Sequence, residues 1–60
     1  MDEIMTPEEL SEYAKRSLKT LEADRLHRRG IPYVKIGRQV RYRRSDIEAY
    51  LAANTVRGGE

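Results

Sequence analysis

The sequence predicts a mostly α-helical domain with one small antiparallel β-hairpin, and three observations lead there. Three segments open with helix-capping chemistry, one segment alternates apolar and polar residues, and 60 residues leave room for a single domain over residues 1–60. A chain of this length buries only about 60% of the surface its unfolded form exposes. There is no room for a deep cleft with a supporting shell around it.

The first helix is predicted over residues 7–16. Thr6 is placed to cap it, Pro7 suits the first helical position and Glu9 closes a capping box. Leu10, Tyr13 and Ala14 fall at i, i+3 and i+4 and are assigned to the core. Residues 17–19 read as a connector, with Thr20 as the cap of a second helix that ends at Arg29 before Gly30 and Pro32. Ala23, Leu26 and Gly30 are assigned inward, while Leu21 does not fit that division. Glu22 is read as stabilising the positive end of this helix; Asp24 is left open between that role and accepting from a cytosine amino group.

Residues 33–44 carry the period of two. A three-residue loop, Gly37-Arg38-Gln39, keeps like faces together by pairing Ile36 with Val40, Lys35 with Arg41 and Val34 with Tyr42; a two-residue loop would set Lys35 against Val40. The expected register therefore juxtaposes two cations, Lys35 and Arg41, which calls for a counter-anion. Ser45-Asp46-Ile47-Glu48 reads as a capping box opening a third helix, with Ile47, Tyr50 and Leu51 inward. Residues 1–5 and 54–60 are expected to be flexible. Helix, turn, helix, hairpin and helix in that order describe a winged helix-turn-helix.

Charge gives this frame a direction. Arg25, Arg28, Arg29, Lys35, Arg38, Arg41, Arg43 and Arg44 lie between positions 25 and 45 without a single acid, so that window carries +8. The remainder holds four basic residues against all ten acids, hence −6, and the net charge of +2 conceals the polarity. One flank is suited to a polyanion, for which duplex nucleic acid is the first expectation. Cysteine is absent and His27 is the single histidine, so no metal site, cofactor site or nucleophile and base arrangement is expected, and the chain reads as a non-enzyme. No apolar run approaches the ~18 residues a membrane helix needs. The expected location is the cytoplasm of a bacterial host cell.

Three stretches, Met5-Thr6-Pro7-Glu8-Glu9-Leu10, Gly30 to Arg38 and Val40 to Leu51, resemble the excisionase family of phage and plasmid DNA-binding proteins, which are related to the MerR-type winged helix. The most specific part is the run from Pro32 to Leu51. The resemblance implies a recombination directionality factor that binds and bends attachment-site DNA and turns a phage integrase toward prophage excision. It places the second helix in the major groove and the Gly-Arg wing tip in the minor groove. The implied DNA-binding residues are Lys19, Thr20, Arg25, Arg28 and Arg29 on the recognition helix and Lys35, Arg38, Arg41 and Arg43 on the wing. This sequence departs from the family pattern in a longer connector without glycine between the first two helices, and in Leu26 where tryptophan is common.

The MerR-type regulators carry a long dimerising helix beyond the wing, whereas about nine residues follow Leu51 here. A monomer in the absence of DNA is therefore expected, with neighbouring protomers touching on DNA through the acidic first helix of one and the basic wing of the next. Two other functions fit the same residues: a small winged-helix transcriptional regulator, and an RNA- or protein-binding accessory module.

Overall fold

The computed structural model describes residues 2–56. The elements run β1 (Ile4–Met5), α1 (Pro7–Ala14), α2 (Leu18–Leu26), β2 (Val34–Ile36), β3 (Gln39–Arg43) and α3 (Arg44–Ala53). The three strands form an antiparallel sheet in the order β1-β3-β2, and the whole is a small winged helix-turn-helix fold.

α1 starts as its sequence dictates. Thr6 Oγ1 accepts from the Glu9 amide at 3.1 Å, and the Glu9 carboxylate accepts from the Thr6 amide at 2.8 Å, so two otherwise unpaired donors are satisfied reciprocally. The helix ends at Ala14, two residues earlier than predicted. Lys15 takes a left-handed conformation, φ +57°, and the amides of Lys15 and Arg16 both donate to the Ser11 carbonyl.

Ser17, not Thr20, caps α2. Its hydroxyl oxygen accepts from the Thr20 amide at 3.1 Å and donates to the Thr20 hydroxyl at 2.8 Å, so α2 begins three residues sooner than predicted. The connector shrinks to residues 15–17, the usual length of a helix-turn-helix turn, with Lys15 supplying the left-handed residue that glycine often provides. α2 also stops sooner, at Leu26. Arg28 is left-handed, φ +55°; its amide donates to the Arg25 carbonyl and the Arg29 amide to the Asp24 carbonyl at 2.8 Å, which completes a Schellman motif.

The core consists of Met5, Leu10, Leu21, Ile31, Tyr42 and Ile47, with Ala14, Val40 and Tyr50 packed against it. Each fully buried aliphatic side chain in such a cluster contributes about 1.5–3 kcal/mol. Leu21 is thus the inward residue of α2, and Leu26, assigned inward, is 78% exposed. Tyr13 is also on the surface, with the Arg44 guanidinium 5.5 Å from its ring centroid. Leu51 is likewise exposed.

The hairpin register differs from the predicted one by a single residue. Val34 pairs with Arg41, Lys35 with Val40 and Ile36 with Gln39 around a two-residue turn, Gly37-Arg38. Glycine at the first central position with φ +65° fits a type II′ turn, whose twist matches the flanking strands. The predicted register assumed that burial enforces the alternation, yet the hairpin projects beyond the core and leaves Ile36 57% exposed. Turn chemistry decides instead. Lys35 and Arg41 consequently lie on opposite faces, and the expected like-charge pair does not form.

Residues 2–5 pack onto the domain, with Ile4–Met5 as an edge strand. Met5 is buried beside Tyr42 as its strand partner, and Ile4 pairs with Arg43. β3 runs into α3 without a linker, so Ser45 falls inside the helix and the predicted local capping box is absent. The N-terminal segment replaces it. Asp2 accepts from the Ser45 amide at 3.1 Å and from its hydroxyl at 2.6 Å, while the Glu3 carbonyl accepts from the Arg44 amide at 2.8 Å. The Ser45 bonds hold the Asp2 carboxyl below its ordinary value, and hydrogen bonds to Glu3 and Glu48 raise Arg44 above its own. Asn54 and Thr55 bond back onto the last turn of α3, and the remainder of the predicted tail, 57–60, lies outside the described residues.

Candidate nucleic-acid interface

α2 advances about 100° per residue, so its side chains can be placed around the axis by number alone. Leu21 marks the inward direction. Leu18, Lys19, Glu22 and Leu26 then fall together on an arc of about 100° facing away from the core, and all four are exposed. Arg25 lies on the flank of that arc toward the hairpin. Thr20, Ala23 and Asp24 occupy the other side and are half-buried.

The inner face of the hairpin carries Lys35 and Val40, followed by Tyr42 in the core. Between this face and the last turns of α2 runs an open groove lined by Glu22, Arg25, Leu26, Arg28, Tyr33, Lys35 and Val40. Arg25 is fixed at its base: one guanidinium nitrogen donates to the Tyr42 hydroxyl at 2.7 Å, and the guanidinium carbon stands 6.0 Å from the Tyr33 ring centroid. Tyr33 is tilted against Tyr42, with ring centroids 6.4 Å apart and planes at 58°. The structure therefore brings Arg25 and Arg28 together with Lys35, and places Arg38 beyond them at the exposed tip of the wing.

The remaining sequence-derived site residues are differently engaged. Lys19 is exposed on the first turn of α2. Thr20 is occupied by the Ser17 cap. Arg28 and Arg29 lie past the end of α2 rather than on it. Arg29 is ion-paired with Asp24 at 3.1 Å, and Arg43 with Asp46 at 3.0 Å. Arg41 is on the outer face of the sheet, where its guanidinium turns back to donate to the Val40 carbonyl. Asp24 also pairs with Arg16, so its carboxylate has a structural task and is only 13% exposed. Gly30, at φ +82°, lies against it; a Cβ at Gly30 would stand 2.9 Å from Asp24 Oδ2.

Sorting the cations by partner sharpens the surface. Arg16, Arg29, Arg43 and Arg44 have carboxylates within 3.4 Å. Among the described residues seven have none: Lys15 in the connector, Arg41 on the outer face of the sheet, and Lys19, Arg25, Arg28, Lys35 and Arg38, which border the outward face of α2 and the wing. Cations without a carboxylate partner are the ones able to neutralise phosphates without first breaking an ion pair.

A family model described as a helix-turn-helix domain matches residues 4–55, from the first strand to the end of the last helix. The chain belongs to the helix-turn-helix domain family. This is a DNA-binding family that includes excisionase-like proteins. Searches of curated proteins and of solved structures gave no match. In a helix-turn-helix domain the second helix is the one presented to DNA, and here that helix carries the exposed arc of Leu18, Lys19, Glu22 and Leu26. Among the described residues no cluster of three or more His, Cys, Asp or Glu converges as metal ligands, and no helix is long and apolar enough to cross a membrane.

Residues that sequence reasoning missed are Ser17, Lys15 and Asp2. Ser17 sits three positions before Thr20, as an N-cap must to accept from that amide, and this spacing is the signal that could have found it.

Proposed function

We propose that this protein is a recombination directionality factor of the excisionase type, a non-enzymatic domain that binds and bends attachment-site duplex DNA and directs a phage integrase toward excision in a bacterial cytoplasm. α2 enters the major groove, the Gly37-Arg38 tip enters the adjacent minor groove, and the groove between them receives the phosphate backbone. The observation that carries the DNA contact is the grouping of five of the seven described cations without carboxylate partners, Lys19, Arg25, Arg28, Lys35 and Arg38, along α2, its C-terminal end and the wing. An arginine beside a glycine at a hairpin tip suits a narrow minor groove, whose negative potential is enhanced. The step from duplex binding to excision rests on the resemblance of the run from Pro32 to Leu51. Off DNA the protein is a monomer, and on DNA neighbouring protomers meet through acidic α1 and the basic wing.

The test is titration of attachment-site and promoter duplexes at several salt concentrations, with end-labelled DNA reporting the bend. Tight, bending, salt-sensitive binding to the attachment site is expected, and Lys35→Ala should reduce the slope of log affinity against log salt by about one. Preference for a promoter without stimulation of excision would instead make the protein a transcriptional regulator. Preference for structured RNA would overturn the duplex interface altogether.

A further inference from the structure

The outward arc of α2 carries side chains that a surface built only for phosphates would not hold. Glu22 lies near its centre, exposed, on the same wall of the groove as Arg25 and Arg28 and across from Lys35. Among the described residues it has no ion-pair or hydrogen-bond partner. It does not serve the positive end of α2 either, because the helix begins at Leu18 and Glu22 falls in its second turn. Asp24, by contrast, is held by Arg16 and Arg29.

Leu26 follows Glu22 by four residues, on the same face, and is 78% exposed. A carboxylate faces repulsion wherever phosphates come close, and an exposed leucine gains nothing from them. Both residues do have partners on base edges in the major groove. A carboxylate accepts from the exocyclic amino group of cytosine, and an aliphatic side chain packs on the 5-methyl group of thymine.

We infer that Glu22 and Leu26 are the base-reading pair of this domain, Glu22 accepting from a cytosine amino group and Leu26 covering a thymine methyl, while the surrounding cations hold the backbone. The inference rests on the proposed DNA contact and adds to it which residues set sequence preference. It also assigns opposite signatures to neighbours: the cations govern affinity and salt dependence, the pair governs discrimination.

The experiment starts from the duplex that the unmodified protein selects from a random pool. Affinities are measured for single base-pair changes in that duplex, and for versions with deoxyuridine in place of each thymidine, against the parent, Glu22→Gln, Leu26→Ala and Lys35→Ala. Glutamine prefers adenine, so Glu22→Gln should exchange a cytosine preference for adenine at one position, by on the order of tenfold, and leave the other positions unchanged. Leu26→Ala should abolish the penalty for deoxyuridine at one neighbouring position. Lys35→Ala should weaken all duplexes alike. Both residues are exposed, so thermal melts of the variants should match the parent. If Lys35→Ala weakens binding while Glu22→Gln and Leu26→Ala leave every base preference intact, the base-reading assignment is overturned and the DNA interface stands. If the parent selects no duplex, the DNA interface itself fails.

Discussion

Arg25 donates to the hydroxyl of Tyr42 at 2.7 Å, which fastens a cation of the exposed groove to the most deeply buried aromatic ring of the core. A solvent-facing arginine loses side-chain entropy when it is ordered by a ligand. Arg25 is ordered in advance. Tyr42→Phe removes the acceptor and keeps the ring, so it is expected to cost about 1 kcal/mol of stability. It should also weaken DNA binding although Tyr42 itself is buried. In a double-mutant cycle on binding, Tyr42→Phe should have no further effect in an Arg25→Ala background; additive losses would show that the hydroxyl does not act through Arg25.

Arg28 occupies the left-handed position of the Schellman motif, where a residue with a Cβ costs about 1 kcal/mol or more relative to glycine. Arg28→Gly should therefore raise stability by about 1 kcal/mol, a Tm increase of roughly 4–8 °C for a domain of this size, while lowering affinity for DNA. Thermal melts and duplex titrations of the same variant check both signs. Loss of stability would show that the side chain itself contributes to the fold.

Ser17 and Thr20 make an informative pair because each is a plausible cap by residue type. Ser17→Ala should destabilise the domain by about 1 kcal/mol through loss of the acceptor for the Thr20 amide. Thr20→Ala leaves that bond in place and should cost less. Urea midpoints of the two variants compare them directly, and the reverse order would restore the later helix start.

Asp2 ties the N-terminal segment to the first turn of α3, and its carboxyl lies below its ordinary value because of the Ser45 bonds. A carboxyl depressed in the folded state binds fewer protons there than in the unfolded chain. Its stabilising contribution is thus fully present above the ordinary value of 3.8 and is lost as pH falls through the depressed folded value. Urea midpoints followed from neutral to strongly acidic pH should fall less steeply for Asp2→Ala than for the parent in the acid range. Identical curves would show that the bonds to Ser45 do not persist in solution.

Much of the fold could be read locally, and the exceptions share a physical reason. Thr6, Pro7 and Glu9 interact within one turn, so the start of α1 is written in adjacent letters. The start of α3 is written 43 residues away, in Asp2, and no local pattern announces it. β1 is two residues long and exists because β3 offers an edge, which makes it a product of tertiary pairing. The left-handed Lys15 and Arg28 are invisible to a reading that expects glycine at such positions. Within the candidate site, charge density pointed to the wing and α2, but it did not distinguish Arg29 and Arg43, which are ion-paired, from Arg28 and Lys35, which are not. The inward face of α2 was misread because Leu18 and Leu26 point outward and disguise the single buried leucine, Leu21. Conflict between pattern and fold tends to fall at functional positions, and here it falls on the face proposed to meet DNA.

Chemical-shift mapping of the labelled protein titrated with duplex DNA tests the central claim most directly. On a duplex that holds a single protomer, shifts should concentrate at Lys19, Glu22, Arg25, Leu26, Arg28, Lys35 and the Gly37-Arg38 tip, and the acidic face of α1 with Glu8 and Glu12, which meets a neighbour only on longer sites, should stay silent. A response confined to α1 and the outer sheet face around Ile4, with α2 and the wing tip unmoved, would contradict the account.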